Sequence, residues 1–205
     1  MKLTEIHPVV LASQSPRRLE ILRNHGIEPL VRPSGADETL PEDIRPEDAV
    51  MTLARRKAAA CIDEHPELRS EPGGIIIAAD TIVYKDEILG KPADAEDAFR
   101  MLSKYRGTSH SVLTGVSLIR LSDGQEHHFY ENTLVWCRDY SDSGIREYIE
   151  TAKPYDKAGA YAIQGAFAKY IDHIEGDYEN VVGLPYPRLA AEAESFFAGV
   201  QTHIN

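Results

Sequence analysis

The stretch Ile75–Tyr84, IIIAADTIVY, constrains the fold more than any other part of the chain. Ile75–Ala79 is apolar without a break, the pattern of a strand buried on both faces rather than one with a wet side. Pro72-Gly73-Gly74 marks its start as a strong break. Asp80-Thr81 then interrupts the run before Ile82-Val83-Tyr84 resumes it. A carboxylate inside such a strand is either desolvated without help or stands where the strand meets a ligand cleft. In α/β sheets ligands gather at strand ends and topological switch points. Turn chemistry does not explain Asp80 in mid-strand, so the ligand reading is preferred.

The rest of the chain supplies alternating strands and helices. After the apolar Pro8–Leu11, LASQSPRR opens a helix: Ser15 is a suitable N-cap, Pro16 fits the first helical position, and Leu19 and Leu22 give an apolar face. Gly26 closes it as a left-handed cap. Arg17 and Arg18 lie in the first turn, where the helix dipole prefers acids, so an anion is expected there. Taken alone, this stretch is slightly better explained by a solvated basic helix start. Glu28–Pro33 reads as an edge strand because of its prolines. Ser34–Arg45 reads as a loop, and Pro46–Glu64 as a helix with apolar residues at a 3–4 spacing. Lys57 lies near that apolar stripe and reads equally as a snorkelling edge residue or as a ligand.

Further on, Lys85-Asp86-Glu87 is a tight turn, and Asp94 caps a helix over Ala95–Tyr105. A long hairpin follows, Ser109–Leu121 and His127–Arg138 about an Asp123-Gly124 turn. Ser141 or Ser143 caps the next helix, which ends near Lys153-Pro154. DKAGAYAIQG, Asp156–Gly165, is rich in small residues that allow close backbone approach. A strand over Ala168–Ile174 and a last helix over about Pro187–Phe197 complete the reading. This order implies an α/β fold with a mixed sheet, and the hairpin argues against a purely parallel one. No linker is evident, so residues 1–205 are expected to form a single domain.

Composition excludes some partners. A net charge of −11 over 205 residues argues against a sequence-independent grip on nucleic-acid polymers, yet leaves room for a small anion held by local cations. No apolar run approaches the ~20 residues of a membrane span. The N-terminal MKLTEIHP lacks the apolar core of a secretory signal, and the cytoplasm is the expected compartment. Cys61 and Cys137 are the two cysteines, too few for a disulfide framework. His127-His128, adjacent on a strand, point to opposite faces and are read as surface residues rather than a chelate.

The P-loop, dinucleotide, serine-hydrolase and zinc-peptidase signatures are all absent. What remains is a dispersed set of cations (Arg17, Arg18, Lys57, Lys91), helix-start amides, and the acids Glu38 and Asp80. Cations and amides suit phosphates, while acids suit a hard divalent ion or a water proton. Together they describe phosphoanhydride hydrolysis assisted by Mg²⁺ or a similar ion such as Mn²⁺.

SQSPRR after a strand, AADTIV followed by GKP, HSVLTGV, DKAGAYAIQG and YENVVGLP occur in this order from Leu11 to Pro185. In that order they resemble the Maf family of nucleotide pyrophosphatases. The resemblance implies an elongated α/β protein similar to inosine triphosphatases, with two lobes and a site in the cleft between them. It implies cleavage of a nucleoside triphosphate between the α- and β-phosphates, giving a monophosphate and pyrophosphate. Asp80 matches the family's catalytic acid, acting on the attacking water or holding the metal that does so. Arg17, Thr81 and Gln164 match specificity positions in the combination of the dTTP/UTP branch. The 7-methyl-GTP branch instead has a tryptophan at the position of Arg17 and DQ at Asp80-Thr81. Ser13, Arg18, Lys57 and Lys91 match polar positions around the triphosphate, and Glu38 matches a metal-binding acid, beside Asp80.

The chain departs from the family's glycine-rich GIQGxG run at Ala162 and at Ala166-Phe167. A lost glycine changes the local backbone or narrows the approach to the base. A homodimer is a further implication of the family, although no interface is legible in the sequence. The competing readings are a pyrophosphatase for modified or other nucleotides, such as 7-methyl-GTP, and a nucleotide-binding regulator of septum formation.

Overall fold

The computed structural model describes residues 1–198. Seven strands form one mixed sheet: β1 (Val9–Leu11), β2 (Leu30–Val31), β3 (Ile75–Lys85), β4 (Glu87–Leu89), β5 (Ser109–Arg120), β6 (Glu126–Cys137) and β7 (Ile171–Glu175). Their order is β2-β1-β3-β5-β6-β7, with β4 paired to β3. β1 runs parallel to both β2 and β3, in register Val10 with Leu30 and with Ile76. The β3–β4 and β6–β7 pairs are antiparallel. The helices are α1 (Pro16–Asn24), α2 (Pro46–Glu64), α3 (Ala95–Tyr105), α4 (Asp142–Ala152), α5 (Tyr178–Val182) and α6 (Tyr186–Ala198). No helix among the described residues is long and apolar enough to cross a membrane.

The chain divides into two compact units. One comprises Met1–Asp80, Thr114–Glu131 and the segment from Gly183; the other comprises Thr81–Leu113 and Asn132–Val182. The boundary along β3 falls between Asp80 and Thr81.

In the first unit, Ile75–Ala79 of β3 is fully buried, as a strand covered on both faces requires. One core cluster joins Val10 of β1, Ile76 and Ala78 of β3, Ile119 of β5, and Ala58 and Cys61 of α2. Gly115 of β5 lets α2 approach unusually closely: a Cβ there would lie 2.4 Å from the backbone carbonyl carbon and oxygen of Val50. α1 ends in a Schellman motif, with Gly26 at φ +79, its N–H on Arg23 O at 2.9 Å and the Ile27 N–H on Leu22 O at 2.9 Å. α6 buries Leu189 and Ala193, while the Arg120 guanidinium lies over the Phe196 ring at 4.7 Å.

The second unit is organised around aromatic packing. Phe167 is 1% exposed and contacts Tyr148 and Tyr161 at centroid distances of 5.1 and 4.8 Å. Tyr140 closes onto α3 through its hydroxyl, which donates to Leu102 O at 2.7 Å.

Several boundaries differ from the sequence expectation. The strand over Glu28–Pro33 shrinks to Leu30–Val31, because Pro29 and Pro33 bring no N–H to the ladder. The strand expected over Ala168–Ile174 begins only at Ile171 and runs to Glu175. Gly165, at φ +91, starts a turn, and buried Phe167 holds the chain in a 3-10 turn through Tyr170. Leu19 is only half-buried, and Ile21 with Leu22 forms the buried face of α1. His127 and His128 are half-buried rather than surface residues, and they do diverge: His127 meets Glu192 at 2.8 Å and His128 meets Ser117 Oγ at 3.1 Å.

Candidate active site

Within the first unit, the start of α1 and the middle of α2 converge on Asp80. Ser15 caps α1 by accepting the Arg18 N–H at 3.5 Å, and Ser13 Oγ accepts the Ser15 N–H at 3.2 Å. The Arg18 side chain turns back onto the same loop. Its Nη1 donates to Ser13 Oγ at 3.1 Å and its Nε to Gly183 O at 2.8 Å. Burial lowers the Arg18 guanidinium below its ordinary value, Asp80 pulls it back up, Arg17 pushes it down and Glu38 raises it. The guanidinium is held by the Gly183 carbonyl and the Ser13 hydroxyl, and Asp80 and Glu38 add attraction.

Lys57 is the hub. Its Nζ lies 2.5 Å from Asp80 Oδ1 and 2.7 Å from Glu38 Oε1. The Lys57 and Asp80 side chains are 18% and 13% exposed, whereas Glu38 is 63% exposed. The snorkelling alternative for Lys57 therefore fails, because its ammonium reaches inward to a carboxylate of the central strand. A cavity of about 300 Å³ is lined by Ala12, Ser13, Gln14, Ser15, Arg18, Pro33, Ser34, Glu38 and Lys57. Its hydroxyls, guanidinium and ammonium are groups that suit a polyanion, while Glu38 in the lining and Asp80 beyond Lys57 are carboxylates of the kind that accept a proton or ligate a cation.

The loop bearing Glu38 is fastened to α2 by contacts that sequence reasoning missed. Arg56 Nη1 donates to Thr39 O at 2.6 Å and to Asp37 O at 3.2 Å. Ser34 Oγ donates to Lys57 O at 2.9 Å, and the Gly35 N–H donates to Glu64 Oε1 at 3.0 Å. The chain gives no local signal for these ties, since they span 17 to 29 residues.

The structure thus brings together Ser13, Arg18, Glu38, Lys57 and Asp80. Arg17 is half-buried beside Arg18 on α1 but does not line the cavity. Thr81, Lys91 and Gln164 belong to the second unit: Thr81 is half-buried in β3, while Lys91 and Gln164 are exposed. Around Gln164 the left-handed positions are Gly159, Ala160 and Gly165, at φ +68, +63 and +91. Neither Ala162 nor Phe167, the two positions where the GIQGxG run has glycine, has a positive φ (Phe167 lies at −79°), so neither residue strains the backbone.

A mixed α/β fold with a cation-lined pocket beside one strand-borne acid suits a protein that handles phosphate esters or anhydrides. Comparison with known proteins narrows the class. Residues 8–196 match the Maf-like protein family, and the chain belongs to that family. Similar proteins carry the name dTTP/UTP pyrophosphatase. One from Agathobacter rectalis is 44% identical over 90% of this chain and 95% of its own length. One from Salinibacter ruber is 44% identical over 93% and 92%, and one from a Geobacillus species is 44% identical over 91% and 96%.

Proposed function

We propose that this protein is a nucleoside triphosphate pyrophosphatase that hydrolyses dTTP and UTP to the monophosphate and pyrophosphate. The observation that carries the reading is Asp80, a carboxylate set in a buried strand, bonded through one oxygen to Lys57 beside a cation-lined pocket. The names of relatives that cover nearly the whole chain support the substrate. Arg18, Lys57 and Ser13 hold the triphosphate, as does Lys91. Asp80 Oδ2 accepts the proton of the water that attacks the α-phosphorus, and pyrophosphate leaves with the bridging oxygen. Thr81 and Gln164 offer the donors and acceptors that a pyrimidine edge needs, and Arg17 assists the choice of base. We extend the proposal to one working domain over the whole chain, a cytoplasmic setting and a homodimer.

A divalent ion fits the residues present in a limited way. Glu38 and Asp80 are the two carboxylates on Lys57, and among the described residues no cluster of three metal-ligating side chains exists. Two carboxylates with substrate phosphates and water are the usual donor set for Mg²⁺. When bound, such an ion offsets the charge that grows on the phosphates.

The test is a product assay on dTTP, UTP, CTP, GTP and 7-methyl-GTP, with and without Mg²⁺. Pyrophosphate and monophosphate from dTTP and UTP are expected, at rates falling about 10²–10⁴-fold in a folded Asp80→Asn variant. Orthophosphate as product would overturn the cleavage position, and preferred turnover of 7-methyl-GTP would move the protein to the modified-nucleotide reading. Silence across the panel would favour a nucleotide-binding regulator.

A further inference from the structure

The segment Asp156–Gly165 carries Gln164 yet has little regular structure of its own, a single 3-10 turn over Ala158–Ala160. Its backbone is left-handed at Gly159, Ala160 and Gly165. Ala160 has a Cβ and gains nothing locally from φ +63, so neighbouring contacts must impose that conformation.

A buried aromatic group that the proposed reaction does not use supplies those contacts. Tyr161 follows Ala160 and is 5% exposed, with its hydroxyl 2.6 Å from His110 Nε2. His110, in the HSVLTGV stretch of β5, is 2% exposed. Its ring stacks on Tyr105 at a centroid distance of 4.1 Å and meets Tyr161 edge-on at 5.3 Å and 86°. Tyr105, also fully buried, donates its hydroxyl to Gly159 O at 3.1 Å. The Gly159 N–H donates to Gly90 O at 2.9 Å, one residue before Lys91. No side chain fits at Gly159, because a Cβ would lie 2.7 Å from Tyr105 Oη and from Val83 Cγ2.

A leucine or phenylalanine at position 110 would fill the same kind of space without stranding a polar atom. His110 instead leaves Nδ1 without a hydrogen-bond partner among the described residues. Burial pushes its pKa down to about 3, so the ring is neutral under ordinary conditions. The bond runs in either direction with the tautomer: with its N–H on Nε2 the ring donates to the Tyr161 hydroxyl, and with its N–H on Nδ1 it accepts from that hydroxyl through Nε2. What the histidine adds over an apolar side chain is therefore a directed bond.

We propose that His110 is a positioning residue for nucleobase selection: by bonding Tyr161, with Tyr105 bonding Gly159, it fixes the turn that carries Gln164 and ties that turn through Gly90 to the Lys91 loop. His110 itself touches no substrate. The proposal rests on Gln164 being a base-selecting residue, as read above.

The experiment compares the full-length parent with Tyr161→Phe, His110→Leu, His110→Gln and Gln164→Ala. It measures kcat and KM for dTTP and GTP, the melting temperature, and hydrogen exchange of the 156–165 amides. Tyr161→Phe and His110→Leu should each lower the dTTP-over-GTP ratio of kcat/KM about tenfold, the loss expected for one directed hydrogen bond. The loss should fall mainly on KM for dTTP, with kcat changed less than about twofold and exchange of the segment accelerated. His110→Gln, whose side-chain amide can donate to or accept from the Tyr161 hydroxyl, should retain most of the selectivity. Unchanged selectivity and exchange in Tyr161→Phe, even with a lower melting temperature, would overturn the proposal while leaving a packing role. If Gln164→Ala relaxes selectivity and Tyr161→Phe does not, the positioning role alone fails. If Gln164→Ala has no effect on selectivity, the base-selection reading fails and takes the proposal with it.

Discussion

Lys57→Met removes the ammonium between Asp80 and Glu38 while keeping an unbranched side chain of similar reach. The two arms of that bridge should differ in strength. Unit charges about 4 Å apart at an effective dielectric near 20 attract by about 4 kcal/mol. Desolvation of the partly buried Lys57 and Asp80 takes back a large part, leaving a net of about 1–3 kcal/mol for that pair. Glu38 is 63% exposed, so solvent screens its arm and the net contribution is about 0–1 kcal/mol. Two double-mutant cycles measure this by urea unfolding, one pairing Lys57→Met with Asp80→Asn and the other with Glu38→Gln. Coupling of about 1–3 kcal/mol is expected in the first cycle and under about 0.5 kcal/mol in the second. Lys57→Met alone should lower the melting temperature by roughly 2–12 °C for a chain of this size. Equal coupling in the two cycles, or none in the first, would refute the burial argument.

Three other perturbations have defined outcomes. Gly115→Ala would place a Cβ 2.4 Å from Val50 C and O, and overpacking of that kind should cost about 1–3 kcal/mol in urea unfolding; a neutral result would mean that α2 shifts freely. Burial depresses His110 from 6.5 to about 3 in the fold, so its neutral form contributes stability that is complete above the unfolded value and is lost as pH falls toward the folded one. Between about pH 7 and pH 5 this group should remove about 2 kcal/mol, and His110→Leu should flatten that part of the stability curve; an unchanged slope would exclude the histidine as its source. Arg56→Ala frees the Asp37 and Thr39 carbonyls from α2, so KM for the nucleotide should rise several-fold at nearly constant melting temperature, and an unaltered KM would show that the Ser34 and Gly35 ties suffice.

The helices were legible because their signals are local. Pro46–Glu64 and Ala95–Tyr105 coincide with the sequence reading, and Ser15, Asp94 and Ser141 cap their helices through their side chains. The strands were harder, since tertiary contacts decide where pairing stops. Phe167 delays β7 by anchoring a turn in an aromatic cluster, and no periodicity announces this. α5 was missed altogether, five residues within the YENVVGLP motif.

The residues of the site divide by a different rule. Arg18 at the positive end of a helix, Lys57 beside an apolar stripe and Asp80 inside a buried strand each violate the preference of their own element. Such a violation has to be compensated from elsewhere in the fold, and the compensation is what the structure shows: Asp80 raises what burial lowers at Arg18, and Lys57 bonds Asp80 across 23 residues of sequence. Local misfit decided for a ligand only at Asp80; at Arg18 it left a solvated helix start slightly ahead, and at Lys57 it left snorkelling and ligation even. Glu38, Lys91 and Gln164 are exposed residues in irregular or turn segments, where an acid, a lysine or a glutamine violates nothing. Residue type alone put Lys91 and Glu38 among the candidate cations and acids, and Gln164 was found only through resemblance. His110 belongs to neither group. A histidine in a strand is unremarkable, its bond to Tyr161 spans 51 residues, and only the buried structure shows a polar ring where an apolar one would pack.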